Sequence, residues 1–406
     1  MDKIELLAPA GDFEKLKTAL HFGADAVYFA GKNYGLRAYG TNFDTHTIKE
    51  TVKYVHSFGK KAYVTINIYA RDKDFKELPA YLKELEDAQV DAVLVSDLGV
   101  FNFIKKHAPK LNIHISTQAN TTNKYAVEAY NKMGASRVVL ARELNLDEIK
   151  SIKKHCPNVE LEAFVHGAMC ISYSGRCLLS NYLTGRDSNH GECVQACRWK
   201  YYVVEENRPD DKLEISEDQN GTYIFNSKDM CLIEHLDKVA DAGIYSFKVE
   251  GRMKSPYYVA TVINAYRRAI DYLYACKKEN KPYVVPAELL QELNKASHRQ
   301  YTTGFMINDG NIKQNLLSAS QTQESKFMAI VLDVKKDKIL VEQRNKFGVG
   351  DTLEILSPNL PINSKFVVEK ITDEQGVLLD QAKAVQQKVW IYTSVKNIQV
   401  GDILRK

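Results

Sequence analysis

The chain has 406 residues, of which 55 are Lys or Arg and 51 are Asp or Glu, so its formal net charge is +4. Its 45% hydrophobic and 26% charged residues are typical of a globular protein, which excludes wholesale disorder, and the near-balance of charge excludes a histone-like polycation. Because the sequence has no apolar run of about 18 residues and begins with an acidic segment, we expect no membrane span, no secretory signal and a cytoplasmic location.

Short apolar runs of strand length recur along the N-terminal part of the chain, with helical patterns between them. Eight such runs are Glu5–Ala10, Ala26–Ala30, Ala62–Asn67, Ala92–Asp97, Ile113–Gln118, Val138–Arg142, Leu161–His166 and Ser246–Gly251. Runs that are apolar on both faces and separated by helices are typical of parallel strands covered by helices. We therefore predict an α/β fold with a (β/α)8 TIM-like barrel over residues 1–300.

Most of these runs end in a polar residue. The six most prominent are Asn67, Asp97, Gln118, Arg142, His166 and Glu250. In such a barrel the carboxyl ends of all strands meet at one mouth, where catalytic residues are found. An alternative interpretation is that one or two of them only cap the following helices.

A cysteine-rich insertion, residues 167–245, separates the seventh and eighth predicted strands. Within it we predict a β-hairpin in which KYYVVEEN and GTYIFNS flank an acidic turn, RPDDKLEISEDQN. Residues 301–325 are polar and read as a linker. From residue 326 to 406 short alternating runs predict a small all-β C-terminal domain, a barrel or a sandwich.

Five of the seven cysteines fall in the insertion, and they are Cys170, Cys177, Cys193, Cys197 and Cys231. Cys156 precedes the seventh predicted strand, at the face of the barrel opposite the mouth, and Cys276 lies in an apolar helical stretch, so both are interpreted as packed small side chains. Thiolates gathered at one place suit an iron–sulfur cluster or zinc. We favour a [4Fe–4S] cluster with zinc as the alternative, and spacing alone does not choose four ligands among five cysteines.

Hydrolytic signatures are weak in this chain. The sequence has no HExxH helix and no GxSxG elbow. His166 precedes Cys170 by four residues, which permits a Cys/His nucleophile pair, but a nucleophilic thiol among several metal-binding thiols is a poor arrangement.

The segment EAFVHGAMCISYSGRCLLSNYLTGRDSNHGECVQACRWKYY resembles the signature of the peptidase U32 family. The matching positions are Glu162, Phe164, Gly167, Ala168, Met169, Cys170, Gly175, Cys177 and Ser180. The opening ELLAPAGDFEKLKTALHFGADAVYFAG and the segments YIFNSKDMCLIEHL and SFKVEGRMKSPYYV are similar to the family as well. The resemblance covers essentially the whole chain.

Several members of that family resemble iron–sulfur proteins that hydroxylate ubiquinone precursors, rRNA or tRNA without oxygen. The resemblance is strongest to the branch that makes 5-hydroxyuridine at the wobble position of tRNA with prephenate as co-substrate. It implies cluster ligands at Cys170, Cys177, Cys193 and Cys231, with Cys197 as the alternative to the third. It also implies tRNA, through its anticodon region, as partner.

Candidate substrate-binding and catalytic residues follow from this expectation. Guanidinium groups clamp dicarboxylates such as prephenate, and a flipped uracil needs a stacking ring and a positive rim. The binding candidates are Arg142, Arg176, Arg186, Arg198, Trp199 and Arg252, each of which can instead serve a salt bridge or a strand. Glu162, His166 and Glu250 are the candidates for proton transfer, and Glu162 and His166 share a strand face by the two-residue period. Their alternative role is a buried pair that only stabilises the barrel.

Two other functions stay open at this point. The first is a collagenase-like peptidase, as the family's label says. The second is a non-catalytic RNA-binding accessory protein with a structural cluster.

Overall fold

A computed structural model describes residues 3–31, 34, 45–169, 179–186, 194, 196, 216–218, 221–223, 228–307 and 322–406. The chain forms two compact units. The first consists of Met1–Phe13, Asp25–Met253 and His298–Gln321, and the second of Glu14–Ala24, Lys254–Ser297 and Thr322–Lys406.

Parallel strands dominate the first unit. They are β1 (Glu5–Pro9), β2 (Ala26–Phe29), β3 (Lys61–Ile66), β4 (Ala92–Val95), β5 (Ile113–Ile115), β6 (Arg137–Val139), β7 (Glu160–Ala168) and β11 (Ile244–Val249). Each pairs in parallel with the next, and β11 pairs with both β7 and β1, so these eight described strands close a barrel. Almost every residue in them is buried, because one face lines the barrel and the other faces its helices.

Helices alternate with these strands along the chain. They are α1 (Phe13–His21), α2 (Thr45–Ser57), α3 (Leu78–Asp87), α4 (Leu98–His107), α5 (Lys124–Met133), α6 (Leu146–His155), α7 (Leu179–Thr184), α8 (Leu236–Asp241) and α9 (Pro256–Lys278). Several of the described helix starts carry a capping side chain, as in the reciprocal capping box of α6 between Asn145 and Glu148. No helix in the described part of the chain is both long and apolar enough to cross a membrane.

Short strands extend the barrel sheet beyond β7. β10 (Asp229–Cys231) pairs antiparallel with the end of β7, and β12 (Tyr301–Thr302) pairs parallel with β10. The segment predicted as a linker thus begins with a strand. A separate hairpin joins β8 (Ser216–Asp218) to β9 (Gly221–Tyr223). β8 lies inside the stretch expected to be the acidic turn, and the first predicted strand, residues 200–207, lies outside the described residues.

The second unit combines helices with antiparallel strands. Its helices include α9 and α10 (Ala287–Asn294). Its strands are β13 (Phe327–Val334), β14 (Lys338–Gln343), β15 (Phe347–Gly348), β16 (Thr352–Leu356), β17 (Lys365–Val367), β18 (Ile371–Thr372), β19 (Leu378–Leu379), β20 (Gln381–Ala382), β21 (Lys388–Tyr392) and β22 (Ile403–Arg405). Eight of these described strands form one sheet in the order β17-β16-β22-β13-β14-β21-β18-β19. Val331, Val341, Ile355, Ile391 and Leu404 are among the residues of its core.

The predicted fold class is confirmed, since a closed (β/α)8 barrel and a small all-β C-terminal region are both present. All eight predicted barrel strands occur within a few residues of their expected positions. Three of the described C-terminal strands, β15, β20 and β22, were not predicted, because runs of two or three residues are too short to show alternation. The stretch KFVVEKI is divided between β17 and β18, which pair with different strands.

Candidate active site at the carboxyl end of the barrel

Polar side chains at the ends of β3 and β5 lie together at the mouth of the barrel. The Asn67 Nδ2 donates to Gln118 Oε1 at 2.9 Å and to Ser116 Oγ at 3.3 Å. Ser116 Oγ also hydrogen-bonds Gln118 Oε1. The barrel brings together residues 51 positions apart, as expected for strand ends at one edge.

Asp97, after β4, has a different role. Its Oδ1 accepts a hydrogen bond from Val100 N at 2.9 Å, which caps α4. For this residue the capping alternative is correct.

Arg142, after β6, lies half-buried against β7. Its guanidinium stands 4.0 Å from the centre of the Phe164 ring, and its Nη1 donates to Ala168 O at 3.3 Å. Among the described residues no carboxylate lies within salt-bridge distance of Arg142, so the expected salt bridge is not observed there. The guanidinium is held in place by a ring and a carbonyl and is suited to receive an anion.

Below this ring the barrel interior contains a buried ion network. Lys248 Nζ contacts Glu162 Oε1 at 2.8 Å and lies 5.3 Å from the centre of the Phe164 ring. Arg137 Nη1 contacts Glu162 Oε2 at 3.0 Å and Glu5 Oε1 at 2.6 Å. Burial acts to raise the pKa of Glu162, but the two cations outweigh it and hold that pKa below its ordinary range.

Glu162 is therefore ionised at neutral pH with a cation on each oxygen. Its described partners are Lys248 and Arg137 and do not include His166. The alternation that predicts a shared face is interrupted, because a register shift lies between the pairs Lys248–Phe164 and Val249–His166. A role of Glu162 in proton transfer stays a prediction.

His166 lies next to Cys231 across the β7–β10 pairing, where the two are Cα partners. The centre of its buried ring is 5.4 Å from that of Tyr301, which stacks on His298 at 4.2 Å. Cys231 is half-exposed and forms no disulfide. One predicted metal ligand thus stands beside one predicted catalytic residue at the mouth.

Glu250 follows β11 and is held by the neighbouring strands. Its backbone N donates to His166 O at 2.8 Å, and its Oε2 lies 3.1 Å from the Tyr28 hydroxyl. Gly167 permits this approach, because a Cβ there would stand 2.5 Å from Glu250 O and its φ is +109°.

Two residues of this region, Lys248 and Glu143, were not predicted from the sequence. Lys248 lies two residues from both Ser246 and Glu250, so the alternation of a strand could have predicted that its side chain points to the same side as theirs. Glu143, next to Arg142, has its Oε2 buried with no hydrogen-bond partner in the part of the chain that the structure describes. Burial raises the pKa of its carboxyl above the ordinary value. No sequence signal indicates such burial.

The remaining predicted residues divide into two sets. Arg252 is buried after β11, and Arg186 follows α7, where its carbonyl accepts from Ser180 Oγ at 3.0 Å. The others lie outside the described residues, and they are Cys170, Cys177, Cys193, Cys197, Arg176, Arg198 and Trp199.

The cysteines that the structure describes agree with the division made from sequence. Cys156 and Cys276 are buried, as expected for packed side chains, whereas Cys231 is half-exposed at the mouth. Within the described ranges no three His, Cys, Asp or Glu side chains are grouped to hold a metal ion. Cys231 as a metal ligand stays a prediction, and the four other cysteines of the expected cluster lie outside the described residues.

Known protein families and relatives match this chain over nearly its whole length. The model of peptidase family U32 matches residues 11–315, and the model of its C-terminal domain matches residues 323–405. The "tRNA hydroxylation protein P1" of Bacillus subtilis (strain 168) is 40% identical, with 100% of this chain and 95% of the relative covered. The "tRNA hydroxylation protein P" of Escherichia coli (strain K12) is 35% identical, with 96% and 94% covered.

A third relative is named for action on a different RNA. A 23S rRNA 5-hydroxycytidine synthase of Escherichia coli (strain K12) is 31% identical, with 87% of this chain and 52% of the relative covered. The family match over most of the chain, together with the closed barrel and its polar mouth, shows that this protein belongs to peptidase family U32.

Proposed function

We propose that this protein is a tRNA hydroxylase that converts the wobble uridine of tRNA to 5-hydroxyuridine. The observation that carries the proposal is the full-length 40% identity to a protein named for tRNA hydroxylation. The synthase of a hydroxylated rRNA cytidine, a related pyrimidine, supports hydroxylation of an RNA base by this fold. A tRNA substrate also supports the cytoplasmic location.

We further propose a [4Fe–4S] cluster held by Cys170, Cys177, Cys193 and Cys231, with Cys197 as the alternative third ligand and zinc as the alternative metal. Cys231 supports this site, because its half-exposed thiol stands at the mouth beside His166. When bound, the cluster would supply one-electron chemistry at the position where the base must enter.

Prephenate is the proposed co-substrate. Its two carboxylates need fixed cations, and Arg142 offers a guanidinium at the mouth with no described carboxylate within salt-bridge distance. Lys248 is unsuited to that task, because Glu162 already occupies its ammonium group.

Mass spectrometry of tRNA nucleosides tests the proposal. A deletion strain is complemented with the wild type, with Cys177→Ala or with Cys276→Ala, which alters a buried packing thiol. We expect wild type and Cys276→Ala to restore 5-hydroxyuridine derivatives and Cys177→Ala to fail. Cells that cannot make prephenate should lack the same nucleosides. Unchanged wobble uridine modification in the deletion strain would contradict the proposed function, provided that no paralogue compensates.

A further inference from the structure

The outer face of the C-terminal sheet combines lysines with aromatic rings. Val389 and Ile391 of β21 point into the core, so Trp390 and Tyr392 lie on the opposite side of the strand. Lys338 of β14 is the cross-strand partner of Tyr392, and Lys370 precedes β18, its carbonyl accepting from Tyr392 N at 3.1 Å. We call Lys335, Lys338, Lys370, Trp390 and Tyr392 the lysine–aromatic face.

Each lysine of this face rests on a ring. Lys335 and Lys338 place Nζ 4.6 Å and 4.7 Å from the centre of the Trp390 ring. Lys370 places Nζ 4.5 Å from the centre of the Tyr392 ring, and Lys338 is 5.4 Å from the same ring. Attraction to the ring faces offsets the mutual repulsion of the three ammonium groups and keeps them together.

Acidic partners are absent from this cluster. In the described part of the chain no carboxylate lies within salt-bridge distance of Lys335, Lys338 or Lys370. Other cations of the same unit do have such partners, for example Arg344 with Glu14 at 2.6 Å and Lys406 with Asp351 at 2.7 Å. The lysine–aromatic face therefore carries three positive charges without a described ion-pair partner, on a molecule whose net charge is only +4.

We propose that the lysine–aromatic face binds the sugar–phosphate backbone of RNA, an inference that rests on the proposed tRNA substrate. Clustered ammonium groups attract consecutive phosphates, and a half-exposed ring such as Tyr392 offers a surface on which a base stacks. The charge complementarity is with a polyanion that also presents flat rings, which favours RNA over an acidic peptide. The barrel mouth performs the chemistry, and this face holds the substrate.

Binding of unmodified tRNA to the full-length protein tests the inference by fluorescence anisotropy at several salt concentrations. The face variant carries K335Q, K338Q and K370Q, and the matched control carries K346Q, K365Q and K383Q, three exposed lysines of the same unit. Both lose three positive charges. We expect the face variant to bind at least about tenfold more weakly, with a salt slope smaller by about two to three, and the control to stay within about threefold of wild type.

Equal affinities of the face variant and the control would overturn the inference. So would unchanged tRNA affinity of the face variant together with lost binding to phosphatidylglycerol vesicles, since the face would then belong to a membrane surface. The outcome is separable from the proposed function. If the protein binds tRNA through this face but does not restore 5-hydroxyuridine in the deletion strain, only the proposed hydroxylase activity is contradicted. A face variant that binds as wild type contradicts only the face.

Discussion

At the scale of single residues, the pKa values of two carboxyl groups of the barrel are shifted in opposite directions. Glu162 lies between Lys248 and Arg137, which keep it ionised. Glu143 has a buried oxygen with no described partner, and burial raises the pKa of its carboxyl. Carboxylates whose pKa values are pushed apart are typical of acid–base assignments in enzymes. Glu143 is therefore a stronger candidate for proton transfer than Glu162, although only Glu162 was predicted.

Glu143→Gln tests this assignment by activity and by stability. If Glu143 transfers a proton, we expect the variant to reduce tRNA hydroxylation roughly 10²-fold or more. The raised pKa means that the folded state disfavours the charged carboxylate, a destabilisation that is absent well below the ordinary pKa of 4.5 and grows as the pH rises above it. The Tm of Glu143→Gln should therefore equal that of wild type near pH 3.5 and exceed it at pH 7.5.

The exposed Glu374→Gln serves as control and should change neither the activity nor the pH dependence of the Tm. Full hydroxylation by Glu143→Gln would rule out proton transfer by this residue. A lower Tm than wild type at pH 7.5 would show that the carboxylate is compensated.

At the scale of elements, the end of β7 organises the candidate site. There β7 has a bulge against β11 and pairs along its other edge with β10, which brings Cys231 next to His166. Sequence periodicity located β7 correctly but not its bulge, because a bulge depends on the partner strand as well as on the strand itself. The same limit explains why the Glu162–His166 face was predicted without its interruption.

Gly167→Ala is expected to disrupt this junction. A Cβ at position 167 would meet Glu250 O at 2.5 Å, and alanine would also be strained at a φ of +109°. We expect a loss of more than about 2 kcal/mol in the free energy of unfolding, measured by urea denaturation. Gly59→Ala is the matched control, since its φ is +64° but no atom lies within 4 Å of the added Cβ. It should cost only about 1 kcal/mol. Equal losses in the two variants would show that the contact with Glu250 is unimportant.

At the scale of the whole molecule, distant segments of the chain combine in ways that sequence patterns do not show. The eight barrel strands were predictable, because each is a local apolar run between helices. The make-up of the second unit was not predictable, because this unit joins residues Glu14–Ala24 and Lys254–Ser297 to the C-terminal strands. Arg405 of β22 helps to hold these segments together, because its guanidinium contacts Glu292 of α10 and Glu354 of β16. A terminal Ile-Leu-Arg gives no indication of such partners.

Arg405→Met should therefore destabilise α10 and the sheet together. Arg405 and Glu292 are almost completely buried, so the variant leaves Glu292 with a buried charge that Lys295, 3.1 Å away, compensates only in part. We expect a loss of about 3–5 kcal/mol in the free energy of unfolding of this unit. Hydrogen exchange followed by mass spectrometry should show protection lost in parallel in peptides that cover Ala287–Asn294 and Thr352–Leu356.

The neighbouring Lys406 provides the control for this prediction. Lys406→Met also removes a cation, but its pair with Asp351 lies at the surface, where such contacts contribute at most about 1 kcal/mol. Its exchange pattern should stay close to that of wild type. If Arg405→Met deprotects the strands while α10 keeps its protection, the two are not one cooperative unit. The buried pair would then stabilise the sheet alone, and the helix would owe its place to the packing of α9 and to the bonds that Lys295 makes with Glu354 and Asn363.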